Sequence, residues 1–151
     1  MTLTSSASIY QTLHNEAVRI AGAKLFTVMV LDNDAGLARR AYTSHPVDYP
    51  ATGSKPTKVD RWSTQVIDRQ ESFVANSTDG FSDVFSDYPL INALDCESVL
   101  NVPVIHLNQV IGTVNFLDSR DHFTPERVRA LQQLVDLHRD TLVTALEMEL
   151  G

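Results

Sequence analysis

Apolar residues recur at helical spacing near both ends of the chain and at strand spacing between them. Ile9, Leu13, Ala17 and Ile20 predict a helix over 5–22, with Ser5 or Ser6 as its cap and Gly22 as its stop. The period then changes. Leu25 to Leu31 is apolar on both faces, the mark of a central strand covered on two sides. Asn33-Asp34-Ala35-Gly36 is turn chemistry, and 37–43 alternates more weakly as a strand nearer an edge. Residues 44–60 hold Pro46, Pro50, Pro56 and Gly53 and read as a long irregular loop. A short helix over 62–69, a strand at 73–75 and a short helix over 89–94 follow. Residues 98–105 and 109–117 are the clearest strands, joined by a two-residue turn at Leu107-Asn108. Thr124 caps and Pro125 opens a last helix running to about Glu149. The order predicts an α+β fold with an antiparallel sheet, as a single domain over 1–151.

Pairing His106 with Gln109 sets Leu100 opposite Asn115 and Val102 opposite Thr113. One face then carries Ser98, Leu100, Val102, Val104, Ile111, Thr113, Asn115 and Leu117. The other carries Val99, Asn101, Pro103, Ile105, Val110, Gly112, Val114 and Phe116, nearly all apolar, and suits packing against the terminal helices. The first face, apolar with a few hydrogen-bonding groups, has the character of a small-molecule pocket. The same groups can also simply satisfy one another. A slip of one residue would exchange the two faces.

Composition narrows the function. With 12 Lys plus Arg against 19 Asp plus Glu, the net charge of −7 argues against a nucleic-acid partner, which needs a basic face. A single cysteine excludes an intrachain disulfide, a four-cysteine zinc site and a two-thiol redox cycle, and fits a cytoplasmic location. No apolar run reaches the ~18 residues of a membrane span, and Met1–Ser8 lacks a signal-peptide pattern. No Ser–His–Asp arrangement, phosphate-binding glycine loop or paired carboxylates are found, so no catalytic, cofactor or metal residues are assigned.

Cys96-Glu97-Ser98-Val99-Leu100-Asn101-Val102-Pro103-Val104-Ile105, then Val110-Ile111-Gly112-Thr113-Val114-Asn115-Phe116, resembles the paired central strands of the GAF domain. The Asp32–Gly36 turn and Phe123-Thr124-Pro125-Glu126 before a long helix are similar to that family as well. The resemblance covers nearly the whole chain. It implies a six-stranded or similar antiparallel sheet, terminal helices on one face, and a pocket on the other lidded by the 44–97 segments. Cyclic-nucleotide members carry Asn-Lys, then Phe, three residues and Asp-Glu. Here Phe116 follows Asn115, and Phe123 is followed by Thr-Pro-Glu126-Arg127, so cyclic nucleotides are not expected. One cysteine cannot run the chemistry of the related methionine sulfoxide reductases. Cys96 is too close to the strand for a tetrapyrrole attachment, and no motif selects a haem ligand.

The residues expected to line a ligand pocket are Trp62, Phe81, Phe85, Tyr88, Thr113 and Asn115, with Tyr42 and Ser98 beside them. Arg39, Arg40, His45 and Lys55 flank the long loop, either to close on an anion or to keep an edge strand soluble. Cys96, between Asp95 and Glu97, reads as a buried small residue with a raised pKa rather than a reactive thiol. His138 lies within the last helix's apolar stripe and reads as a packing residue. That stripe (Val128, Leu131, Leu134, Val135, Leu142, Ala145, Leu146) is widened by Ala130, Leu137, Thr141 and Met148 to half the circumference, more than one sheet face covers. The first helix can cover the excess within one chain through Ile9, Leu13 and Ile20, but its own shoulder of Tyr10, Ala17 and Ala21 leaves surface over, so a homodimer through the terminal helices is expected, with no nucleic-acid or membrane partner. The functional expectation is a sensory domain for a small organic ligand, acting through a separate partner. The alternatives are a ligandless dimerisation or interaction module, or an enzyme using the same pocket.

Overall fold

The computed structural model describes residues 5–151; the part of the signal-peptide reading that falls on Met1–Thr4 lies outside them. Helix α1 (Ser6–Ile20) is capped by Ser5, whose side chain accepts from the Ser8 N–H. It ends at Gly22, whose φ of +85° favours glycine and whose Cα faces the His122 ring. Strands β1 (Leu25–Asp32), β2 (Leu37–Thr43), β3 (Lys55–Pro56), β4 (Phe73–Ala75), β5 (Ser98–His106) and β6 (Gln109–Asp118) form one antiparallel sheet. Its order is β3-β2-β1-β6-β5-β4, which puts the doubly apolar β1 near the centre and the arginine-bearing β2 next to the edge. β3 lies inside the segment expected to be wholly irregular.

Between β3 and β5 run a short helix α2 (Arg61–Ser63), a π-helical turn (Thr64–Asp68), a 3-10 turn (Thr78–Gly80) and α3 (Tyr88–Ala93). The expected single last helix is two, α4 (Pro125–Leu137) and α5 (Arg139–Leu150). They are separated at His138, where the backbone (φ −97°, ψ 10°) leaves the helical region. Thr124 caps α4 and Pro125 opens it, as the sequence predicts.

The sheet separates two apolar cores. On one side Phe26, Val28, Val30, Leu100, Val104, Val114 and Phe116 pack under Tyr10, Leu13, Leu131, Leu142 and Leu146 of the terminal helices. On the other, Leu25, Val99 and Leu117 pack under Tyr49, Val66, Phe73, Phe81, Val84, Ile91 and Cys96 of the 44–97 segments. Gly112 lets α5 approach: a Cβ there would lie 2.5 Å from Met29 O and 2.9 Å from Leu146 Cδ1.

Two bulges decide which side chains face which core. Leu107 and Asn108, both at positive φ, make the tight turn, and His106 pairs with Gln109 as expected. Between Val104 and Ile105 the register slips, leaving Ile111 as the extra residue, so Asn101 rather than Leu100 is opposite Asn115. The expected faces therefore hold for Gly112–Leu117 of β6 and are exchanged along β5. A second bulge, between the partners of Val28 and Met29, leaves Ala41 unpaired and turns Arg40 and Tyr42 to opposite sides of the sheet.

Candidate functional site

A cavity of about 280 Å³ lies between the sheet and the 44–97 segments. Its floor comes from β1, β5 and β6: Thr27, Met29, Leu31, Val99, Asn101, Thr113, Asn115 and Leu117. Its roof holds Tyr49, Trp62, Ile67, Val84, Phe85, Asp87 and Ile91, and its rim Thr52, Lys55, Thr57 and Lys58. The walls are mainly apolar, with a narrow polar strip across the floor, the usual make-up of a small-ligand site.

That strip follows from the register. Asn101, Asn115 and Thr27 are direct cross-strand neighbours on three strands. The Trp62 indole N–H donates to Asn101 Oδ1 (2.9 Å), Asn101 Nδ2 to Asn115 Oδ1 (2.8 Å), and Asn115 Nδ2 to Thr27 Oγ1 (3.1 Å). All three floor residues are buried. Buried polar groups are costly unless paired, and here they are paired in a row. Thr113 differs. It is fully buried, and among the described residues its hydroxyl and that of Tyr10 are the buried side-chain oxygens without a partner.

One wall is ionic. Arg40 Nη1 donates to Pro50 O (2.6 Å) and Nη2 to Asp87 Oδ2 (3.3 Å), while its guanidinium lies 3.7 Å from the Tyr49 ring centroid. The Tyr49 hydroxyl donates to the same Asp87 oxygen. Burial, then the Asp87 carboxylate, push the Tyr49 pKa far above that of a free phenol, so it remains a donor. This cluster ties β2 to the loop before α3 across the cavity mouth.

Of the residues expected here, Trp62, Phe85, Thr113 and Asn115 line the cavity, with the Trp62 and Phe85 ring centroids 6.2 Å apart. Four do not. Tyr42 is on the helix side of the sheet, between Tyr10 and Phe26, its hydroxyl donating to Gln11, because the β2 bulge turns it there. Ser98 is on the wrong side of β5 for the same kind of reason; its hydroxyl donates to the carbonyls of Asp118 and Ser119. Phe81 is one layer further out, wholly buried against Phe85. Tyr88 is at the surface, where α3 begins.

Sequence reasoning did not select Thr27, Asn101, Tyr49 or Asp87. Thr27 and Asn101 carried a signal, each a polar residue inside a run otherwise apolar on both faces. Tyr49 and Asp87 lie in loops and carried none. Phe116, at the position of the cyclic-nucleotide lysine, is buried on the helix side, away from the cavity.

Cys96 is buried, and desolvation, followed by Asp118, pushes its thiol up to about 11. Among the described residues no cluster of three or more His, Cys, Asp or Glu side chains could hold a metal ion. No helix among them is long and apolar enough to cross a membrane.

The chain is similar to several solved structures. A GAF domain/HD domain protein from Geobacter sulfurreducens superposes with a TM-score of 0.73 at 15% identity, covering 95% of each chain. The GAF domain of a two-component sensor histidine kinase from Bacillus halodurans gives 0.73 at 15% identity, over 95% of this chain and 96% of that one. The blue-light absorbing form of the PixJ GAF domain from Thermosynechococcus elongatus gives 0.67 at 13% identity, over 96% and 90%. No protein of curated function matches the sequence. The family model described as GAF domain matches residues 4–140. With that match over most of its length and this sheet, helix and cavity arrangement, the chain belongs to the GAF domain family.

Proposed function

We propose that this domain is a small-molecule-binding sensory and regulatory module that acts through a separate partner. The observation that carries the reading is the lidded cavity, with its buried polar row set in apolar walls on the sheet face opposite the terminal helices. Similar folds occur in a two-component sensor histidine kinase and in a blue-light absorbing PixJ GAF domain, which supports a signalling role. Ligand capture tightens the Arg40–Asp87–Tyr49 mouth, and β2 carries the change through the sheet. The output surface is the helical layer, which forms a homodimer: Val18 and Ile20 of α1, Leu137 of α4, and Met148 and Leu150 of α5 are exposed apolar side chains on it. A cytoplasmic location accompanies this reading, in keeping with one unpaired cysteine.

Native mass spectrometry of the protein purified from its own host tests it. A mass adduct lost on denaturation is expected, and the released compound raises the melting temperature when added back. The second reading, a ligand-free dimerisation or protein-interaction module, rests on those same exposed apolar side chains. A homodimer with a bare mass, and no thermal shift with a metabolite panel, establishes that reading and overturns the first.

A further inference from the structure

The polar row on the cavity floor has a direction. An indole N–H only donates, so Trp62 holds Asn101 Oδ1 toward itself. That points Asn101 Nδ2 at Asn115 Oδ1 and, in turn, Asn115 Nδ2 at Thr27 Oγ1. Each acceptor in the row is thus already engaged once by the protein. Protons are left over: one N–H on each asparagine and the hydroxyl proton of Thr27. Thr113, two residues from Asn115 on the same face of β6, adds a buried hydroxyl with no partner. Its cross-strand neighbour is Met29, an unbranched and adaptable side chain that also lines the cavity. The floor therefore keeps four unpaired protons, while each oxygen acceptor of the row is engaged once and keeps only a second lone pair, which costs less to leave unfilled than a proton.

We infer that the ligand, granted the ligand-binding reading above, is an apolar, ring-sized molecule whose buried end is a neutral carbonyl oxygen received by Thr27, Thr113 and Asn115. A head group that only donates would reach second lone pairs and hydroxyl oxygens and would leave the two asparagine N–H groups unpaired. A carboxylate at this depth would be an uncompensated buried charge, because no cation is on the floor. Arg39, which also borders the cavity, is committed to Glu149, Arg40 is committed to Asp87, Pro50 O and the Tyr49 ring, and Lys55 and Lys58 are exposed on the rim. A ketone, amide or lactam oxygen takes two or three of the spare protons without charge. The body of such a molecule fits the apolar walls of Met29, Leu31, Trp62, Phe85 and Leu117.

Four one-ring probes test this by NMR titration of the full chain: ethylbenzene, acetophenone, benzamide and benzoate. Acetophenone and benzamide are expected to bind at least about tenfold tighter than ethylbenzene and benzoate, shifting the Trp62 indole N–H and the Thr113 amide; about tenfold is 1.4 kcal/mol, one charge-neutral hydrogen bond. In Thr113→Val the preference falls below about threefold, and in Thr113→Ser it returns. Binding without preference, benzoate tightest, or an unchanged preference in folded Thr113→Val overturns the carbonyl inference and leaves the ligand-binding reading standing. Absence of binding by all four also overturns the inference; the wider reading then falls only if the host-purified protein carries no adduct.

Discussion

Arg39 and Arg40 are consecutive in β2 and are anchored on opposite sides of the sheet. Arg39 Nη2 donates to the carbonyl and a carboxylate oxygen of Glu149 in α5, both at 2.9 Å, while Arg40 closes the cavity mouth on Asp87 and Pro50. Glu149 Oε1 also accepts from Ser6 of α1. One peptide unit therefore joins the cavity mouth to both ends of the helical layer.

Arg39→Gln is expected to leave ligand affinity within about threefold while uncoupling α5 from the cavity. The half-buried ion pair contributes on the order of 1 kcal/mol. Hydrogen exchange checks the uncoupling: ligand should slow exchange in the last turn of α5 in the wild type and not in Arg39→Gln.

Thr113→Val is expected to stabilise the ligand-free protein. It removes a buried hydroxyl without a partner and substitutes an equally branched strand residue of similar volume. About 1 kcal/mol is expected, read as an increase in the urea midpoint with unchanged slope. Gain in stability and loss of carbonyl preference in one variant would separate the role of this side chain in binding from any role in folding.

Gly112→Ala is expected to destabilise by about 1–3 kcal/mol, since the added Cβ must displace the Met29 carbonyl and Leu146. Backbone on one side and a core leucine on the other leave little room for relief. Pairing it with Leu146→Ala, which removes one of the two clashes, should recover part of the cost; additive losses in a denaturation cycle would contradict the geometry.

The pH dependence turns on His14, which stacks on Phe26 with ring centroids 4.8 Å apart. Burial, the dominant cause, lowers its pKa in the fold. The unfolded chain therefore binds the proton more readily, and stability falls as pH drops below the unfolded value of about 6.5, until the folded protein is protonated too. Melting temperatures between pH 7.5 and 5 should decline less steeply in His14→Gln than in the wild type. Equal slopes would show that His14 carries none of the acid sensitivity.

The helical layer supplies the test of assembly. Leu137 is 80% exposed and Met148 52% in one chain. Light scattering at micromolar concentration should give a dimer mass, and Leu137→Lys with Met148→Lys should give a monomer with an unchanged circular dichroism spectrum. A wild-type monomer would remove the dimer from the proposal.

The sequence made the sheet and the helices legible because period 2 and period 3.6 patterns are local. Thr113, Asn115, Trp62 and Phe85 were reached by counting outward from a tight turn and by composition of the lid. Unbroken alternation places Ser98 on the cavity face and Asn101 on the helix face, and the weak alternation of 37–43 assigns no face to Arg40 or Tyr42. Each bulge breaks the alternation by one residue. Nothing in Val110-Ile111-Gly112 or Arg40-Ala41-Tyr42 announces an extra residue, since the slip is fixed by what packs on either side. Tyr49 and Asp87 meet across 38 positions through loops with no period to read.

Trp62 is the one tryptophan in the chain, and its indole N–H is held by a cavity-floor asparagine rather than by water. The protein therefore contains a single indole fluorophore, which can be excited apart from the tyrosines, and filling the cavity would change its surroundings. An occupant that displaces the indole from Asn101, or excludes solvent around the ring, alters emission wavelength and yield without any label. Compound libraries can be surveyed optically on the unmodified chain, and the proposed closure of the mouth would be timed by stopped flow from that one residue.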